Sequence, residues 1–188
     1  SAPADVTPAS ARDVLVIAGS QSGLSSIFRA VVGAGQPLLI ESPTYWGALL
    51  AAEQAGVVLV PIPSGPHGPD PDAVERAFVE TGARAFYAQP TFANPSGARW
   101  PAATGLAVLE SVRRHGAFLI EDDWAHDLAI DGDVRPLAAL DDDGHVVYLR
   151  SLTKSVSPAL RIAAVIARGP ARERILADRA AESMYVSG

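Results

Sequence analysis

"FLIEDDWAHDL", residues 118–128, is the stretch whose reading decides the fold. Three apolar residues run without interruption into three acids. A continuous apolar run of this length is the pattern of a strand buried on both faces, as in a parallel sheet. Three acids at the end of such a strand are costly unless they are paired or solvated. The strand therefore ends where polar chemistry begins. Successive side chains alternate faces, so Asp122 and Asp123 cannot both point at one ligand.

The same apolar signature recurs at "VLVIAG" (14–19), "PLLIE" (37–41), "VVLVPIP" (57–63), "ARAFYAQ" (83–89), "VVYLRS" (146–151) and "IAAVIA" (162–167). Helix-length patterns lie between these runs. "SSIFRAVVGAG" is expected to stop at Gly35 and "YWGALLAAEQAG" at Gly56. "DPDAVERAFVETG" opens on a proline flanked by aspartates, and "AATGLAVLESVRRHG" carries basic residues near its end, each suited to the helix dipole. "PARERILADRAAES" is the last helix pattern. This alternation predicts an α/β fold: a three-layer α/β/α domain over residues 14–188, around a mostly parallel sheet of roughly seven strands. Residues 1–13 read as a ragged lead-in. The chain stops just after a helical pattern, which suggests a piece of a longer protein.

At 188 residues, 48% hydrophobic and 19% charged, the chain can bury a core and reads as one globular domain. A net charge of −6 argues against this segment gripping a nucleic-acid backbone. Cysteine is absent, which excludes a disulfide framework and a thiolate metal site. No apolar run reaches membrane-spanning length and no signal peptide opens the chain, so no membrane partner is expected and the cytoplasm is the default location. The run Asp141–Asp143 reads as a solvated turn, and His67, His115 and His145 as loop or surface residues.

Open α/β sheets bind ligands at the carboxyl ends of their strands. After the first strand, "GSQSGL" (19–24) leads straight into a helix, a setting suited to an anion, though an ordinary strand–helix turn reads the same way. It carries neither the dinucleotide fingerprint nor a P-loop. After the second strand, Tyr45 and Trp46 offer flat rings for a planar ligand, or simply core aromatics. "QPTFANPSG" (89–97) is turn chemistry in which Asn94 also has an amide to present. A carboxylate at the end of the fifth strand would keep a facing pyridine nitrogen protonated. Divalent-metal binding by these acids, joined by His126, is the rival, but no matching ligand spacing occurs elsewhere, and no metal is expected.

"SLTKSVSPALR" (151–161) holds the only lysine, Lys154; the other fourteen basic residues are arginine. A guanidinium stays charged, whereas an amine can lose its proton and attack a carbonyl carbon. Ser151, Thr153 and Arg161 surround Lys154 in sequence with a second anion grip. A phosphate cradle, a stacking ring, a carboxylate, an amide and one amine together match pyridoxal phosphate held as a lysine imine.

In the order "GSQ", "P-T-Y", "N-P-S-G", "D-D-W" and "S-L-T-K" with an arginine seven residues on, the chain resembles the large domain of fold-type I pyridoxal-phosphate aminotransferases, over about residues 14–185. The resemblance implies that Lys154 forms the imine, Asp122 pairs with the pyridine nitrogen, Asn94 touches the phenolic oxygen and Tyr45 stacks on the ring. It implies that Ser20, Gln21, Ser151, Thr153 and Arg161 hold the phosphate. "IEDDWAHDL", "RPLAALD" and "VVYLRSLTKSVSPALRIA" are most similar to the MocR branch of GntR-type transcription regulators. Such proteins join a winged-helix DNA-binding domain to an aminotransferase-like domain that senses a cofactor or an amino-acid-like effector. That implies a homodimer, with DNA reached only through a domain outside this chain. Trp124 stands where relatives place a tyrosine hydroxyl beside the cofactor; an indole N–H donates but cannot accept, which bears on turnover. The alternatives are the core of an active aminotransferase, in which Lys154 also moves the proton, and a degenerate fold that binds no cofactor and serves dimerisation. The small domain that grips substrate carboxylates in the family is not in this sequence, so the fragment itself is expected to be inactive.

Overall fold

The structure, a computed structural model, describes residues 10–126, 135–151 and 162–184. Among these residues eight strands form one sheet in the order β1-β8-β7-β6-β5-β2-β3-β4. The strands are β1 (Val14–Ala18), β2 (Pro37–Ser42), β3 (Val58–Gly65), β4 (Gly68–Pro69), β5 (Ala85–Ala88), β6 (Phe118–Asp123), β7 (Val146–Ser151) and β8 (Ile162–Ile166). The run β7-β6-β5-β2-β3 is parallel throughout. β8 is antiparallel to both β7 and β1. Only residues 152–161 separate β7 from β8, fewer than a parallel crossover needs. The seven expected strands are all present, and β4, a two-residue hairpin return from β3, is the addition.

Among the described residues five α-helices cover the sheet: α1 (Ser20–Ile27), α2 (Trp46–Ala55), α3 (Pro71–Thr81), α4 (Ala102–Arg114) and α5 (Gly169–Met184). Leu24 and Ile27 of α1, Ala48, Ala51, Ala52 and Ala55 of α2, and Ala171 and Ile175 of α5 pack against Ile40, Tyr87, Ile120 and Leu149. Val74 and Phe78 of α3 and Val108, Leu109 and Val112 of α4 pack on the other face, against Leu39, Phe86, Leu119 and Tyr148. These are the three layers that the strand–helix alternation predicts. The central strands are apolar on both faces because both are covered, as the buried runs of β5 and β6 record.

Two expectations need correction. The first helix begins at Ser20 and closes at Gly33, not Gly35, because α1 passes into a π-helical turn over Phe28–Val32 that ends with Gly33 N–H bonded to the Phe28 carbonyl. Asp141 is not part of a solvated turn. It is buried, and its carboxylate accepts from His145 N (3.1 Å) and Val146 N (2.8 Å), closing the approach to β7. His115 and His145 lie in loops, as expected, and each is engaged there: the ring of His115 stacks on Phe78 and lies 2.8 Å from Glu75, and His145 Nδ1 lies 2.7 Å from the Ala117 carbonyl.

Candidate functional site

The carboxyl ends of β1, β2, β5, β6 and β7 meet at one edge of the sheet, as the registers Ala18↔Ile162, Ala88↔Glu121 and Asp123↔Arg150 require. The described strand-end residues singled out by the sequence gather there. Parity then sorts them between faces. Asp122 shares a face with Ile120 and stands opposite Leu149, so it faces the α1 and α2 side. Glu121 and Asp123 face the α3 and α4 side, where they find other partners. Asp123 Oδ2 accepts from the Tyr148 hydroxyl (2.8 Å) and sits 2.8 Å from His126 Nδ1. Burial and the Asp123 charge push the Tyr148 hydroxyl's pKa up. Glu121 accepts from Leu137 N (2.9 Å) and Ala138 N (2.8 Å), and burial pushes its carboxyl up to about 7.

Asp122 is the acid that faces the α1 side. Only 2% exposed, it accepts at Oδ2 from the Tyr87 hydroxyl (2.7 Å) and from Gln89 Nε2 (3.0 Å). Tyr87 is buried edge-on against Phe28, and burial followed by the Asp122 charge keeps its hydroxyl protonated. The two donors fix the carboxylate and satisfy one of its oxygens in a setting where an unpaired charge is costly.

Tyr45 precedes the first residue of α2, half-buried, while its neighbour Trp46 turns outward and is 64% exposed. Burial first, then the Asp122 charge, raises the Tyr45 hydroxyl's pKa, which puts this ring within electrostatic reach of the acid. The ring lies over Gly47: a Cβ there would stand 2.3 Å from Tyr45 Cζ. The start of α1 stands beside it. Gly19 caps α1 with φ of 83°, a conformation that costs glycine little, and Ser20 and Gln21 follow at the helix start. The Gln21 side chain donates to the Gly47 carbonyl (2.8 Å), tying the two helix starts together. Its amide donor is thus used within the protein, leaving backbone N–H groups of the α1 start for an anion.

Asn94 is half-buried in the loop after β5, and its backbone N–H donates to Gln89 Oε1 (2.9 Å). Trp124 follows β6 and its indole N–H donates to the Phe92 carbonyl (3.0 Å). Ser151 closes β7 on the same face as Leu149 and is buried. Thr153, Lys154 and Arg161 lie outside the described residues. The described residues that flank them, Ser151 and Ile162, both stand at the site edge.

The sequence reading missed the inner supports. Tyr87 in β5 and Gln89 one residue past it share the Asp122 face, and Glu41 near the end of β2 is buried against the Gln89 backbone. Glu41 accepts from Gln89 N (2.8 Å), Ser64 Oγ (2.8 Å) and Trp100 Nε1 (3.0 Å), while burial raises its carboxyl. The signal for Gln89 was present: a polar residue one step past an apolar strand, at the edge where ligands bind.

A buried acid for a ring nitrogen, a ring to stack on, an amide-bearing loop and a helix start for an anion occupy one side of one sheet edge. This donor set fits a phosphorylated pyridine aldehyde. Comparison with known proteins agrees with the geometry. The sequence model of the family "Aminotransferase class I and II" matches residues 4–187. The chain is 32% identical over 169 residues to 2-aminoadipate transaminase of Thermus thermophilus, covering 87% of this chain and 42% of that protein. It is 31% identical over 154 residues to the uncharacterised HTH-type transcriptional regulator YjiR of Escherichia coli, covering 81% and 33%. The solved structure of the Thermus thermophilus alpha-aminoadipate aminotransferase LysN, complexed with N-(5'-phosphopyridoxyl)-L-leucine, superposes with a TM-score of 0.83 at 32% identity, over 90% of this chain and 45% of that one. The chain thus spans less than half the length of each of these relatives.

Proposed function

Because the chain belongs to the class I and II aminotransferase family, we propose that it is the pyridoxal-phosphate-holding core of a MocR-type, GntR-family transcription regulator. The observation that carries the cofactor assignment is Asp122, buried at the carboxyl edge with two donors on one oxygen, on the side that holds Tyr45 and the α1 start. Pyridoxal phosphate, when bound, supplies an aldehyde that an amine can capture and a ring that draws electrons from the captured carbon. Asp122 holds the proton on the ring nitrogen. Tyr45 covers one ring face and Asn94 turns its amide to the phenolic oxygen. Ser20, Ser151, Thr153, Arg161 and the backbone at Gln21 grip the phosphate. Lys154 is the nucleophile, its amine able to shed a proton where arginine cannot.

Two features favour a sensor. Trp124 carries no hydroxyl to share a proton with the cofactor, and its indole N–H is directed to Phe92. Regulators such as YjiR are among the relatives. The signal is cofactor binding or its exchange for an amino-acid-like effector. The protein works as a homodimer and contacts DNA through a segment outside this acidic chain. A second reading, an aminotransferase core, is favoured by the 32% identity to 2-aminoadipate transaminase. There Lys154 would also move the proton at the substrate's α-carbon.

The test uses the intact protein. Added pyridoxal phosphate should produce a visible absorbance band that Lys154→Ala abolishes. Mobility-shift assays on DNA from upstream of its own gene should respond to the cofactor and to amino acids, with little transamination. A band that survives Lys154→Ala sinks the cofactor reading. Rapid transamination without DNA binding establishes the enzyme instead.

A further inference from the structure

Gln89 is 3% exposed, and its backbone N–H and both ends of its side-chain amide are engaged. Its backbone N–H donates to Glu41 Oε2 (2.8 Å), its Nε2 to Asp122 Oδ2 (3.0 Å), and its Oε1 accepts from Asn94 N (2.9 Å). Asp122 stands one residue before the end of β6, whereas Asn94 sits in the loop after β5, and one side-chain amide spans the two. We propose that Gln89 is a positioning residue that holds the ring-nitrogen acid and the phenolic-oxygen loop at a fixed separation and sets how strongly Asp122 retains the ring proton. The proposal rests on the pyridoxal-phosphate reading above.

The chemistry of the two ends dictates an amide. A carboxylate oxygen accepts only, so the strut must offer it a donor; a backbone N–H donates only, so the other end must offer an acceptor. Glutamine presents one of each from a planar group. Asparagine is a methylene too short, an aliphatic side chain offers neither, and an ionised glutamate would set like charge against Asp122. The strut is itself anchored, because Glu41 is pinned by Ser64 and Trp100. Tyr87 donates to the same Asp122 oxygen, so Gln89 supplies one of the two donors there. Losing a hydrogen bond to a charged group changes that group's proton affinity about tenfold or more.

The experiment compares the intact protein with Gln89→Leu and Gln89→Glu, reading three quantities: apo unfolding midpoint, pyridoxal-phosphate dissociation constant, and the pH at which the bound cofactor's visible band titrates. For Gln89→Leu we expect a dissociation constant raised about tenfold and a titration midpoint moved by about one pH unit. For Gln89→Glu the protonated carboxyl reproduces the donor and acceptor. That variant should match the parent at low pH and lose its hold on the cofactor as the pH rises and the carboxyl ionises. A residue that merely packs would lower the apo midpoint and leave the titration in place. A parental titration and affinity in folded Gln89→Leu overturn the proposal. If that variant does not fold, a Gln89→Glu protein with the parent's pH profile overturns it. Failure of the parent itself to bind pyridoxal phosphate would instead remove the cofactor reading.

Discussion

Glu121→Gln tests the electrostatics of the site's reverse face. Glu121 is 1% exposed, and two opposed effects act on it. Burial raises its carboxyl, and the Asp123 charge adds to that, whereas the N–H groups of Leu137 and Ala138 favour the carboxylate. Burial wins, and the folded pKa rises from 4.5 to about 7. The folded state therefore binds this proton more tightly than the unfolded chain does. The stabilisation is fully present below the unfolded value of 4.5 and is lost as the pH rises through about 7. Between pH 5 and pH 8 the loss amounts to about 2–3 kcal/mol. Glutamine does not titrate, and it turns an amide N–H toward a backbone donor, so the variant is less stable than the parent at pH 5. Its deficit should shrink by about 2–3 kcal/mol on going to pH 8. Urea unfolding followed by tryptophan fluorescence at half-unit pH steps measures the difference directly, and packing changes cancel because they do not depend on pH. A deficit constant to within about 0.5 kcal/mol would mean that the two N–H groups hold Glu121 ionised throughout, and the ranking of effects would be wrong.

Tyr87→Phe removes one of the two donors on Asp122; pyridoxal-phosphate affinity should fall about tenfold while the fold persists, which equilibrium dialysis reads. In Gly47→Ala the new methyl meets the Tyr45 ring, so cofactor binding should weaken even though alanine is the better helix former; fluorescence titration and thermal unfolding separate the two effects. Glu41→Leu leaves the buried donors Gln89 N and Trp100 Nε1 unpaired and should cost about 2–4 kcal/mol in urea unfolding. Hydrogen bonds from Ser111, His115 and Arg114 draw the Glu75 carboxyl down to about 2, so its stabilisation is present above pH 4.5 and lost as the pH falls toward 2. Acid unfolding of Glu75→Gln should accordingly show a shallower fall over that interval than the parent does.

The layers and seven of the eight strands were legible in the chain because apolar runs and helical patterns are local, and each constrains its own backbone. "FLIEDD" reads as a strand buried on both faces, and it is one. Strand parity alone divided Asp122 from Asp123, since a pleat has no other option. The single lysine and the turn at Asn94 were visible for the same reason: composition and turn chemistry do not wait on tertiary contact. The end of α1 was not legible, because a π-helical turn shifts the stop from Gly35 to Gly33 and no local residue announces it. Nor was the burial of Asp141, which depends on the backbone donors it meets at β7. Gln89, Tyr87 and Glu41 acquire their meaning only when β2, β5 and β6 lie side by side. Glu41 and Gln89 are 48 residues apart, and Gln89 and Asp122 are 33 apart. The sequence by itself determined which residues stand at strand ends and which neighbours fall on opposite faces. Which of them bond to one another was decided by strand order, because a parallel sheet brings distant segments to one edge in an order that local pattern does not encode.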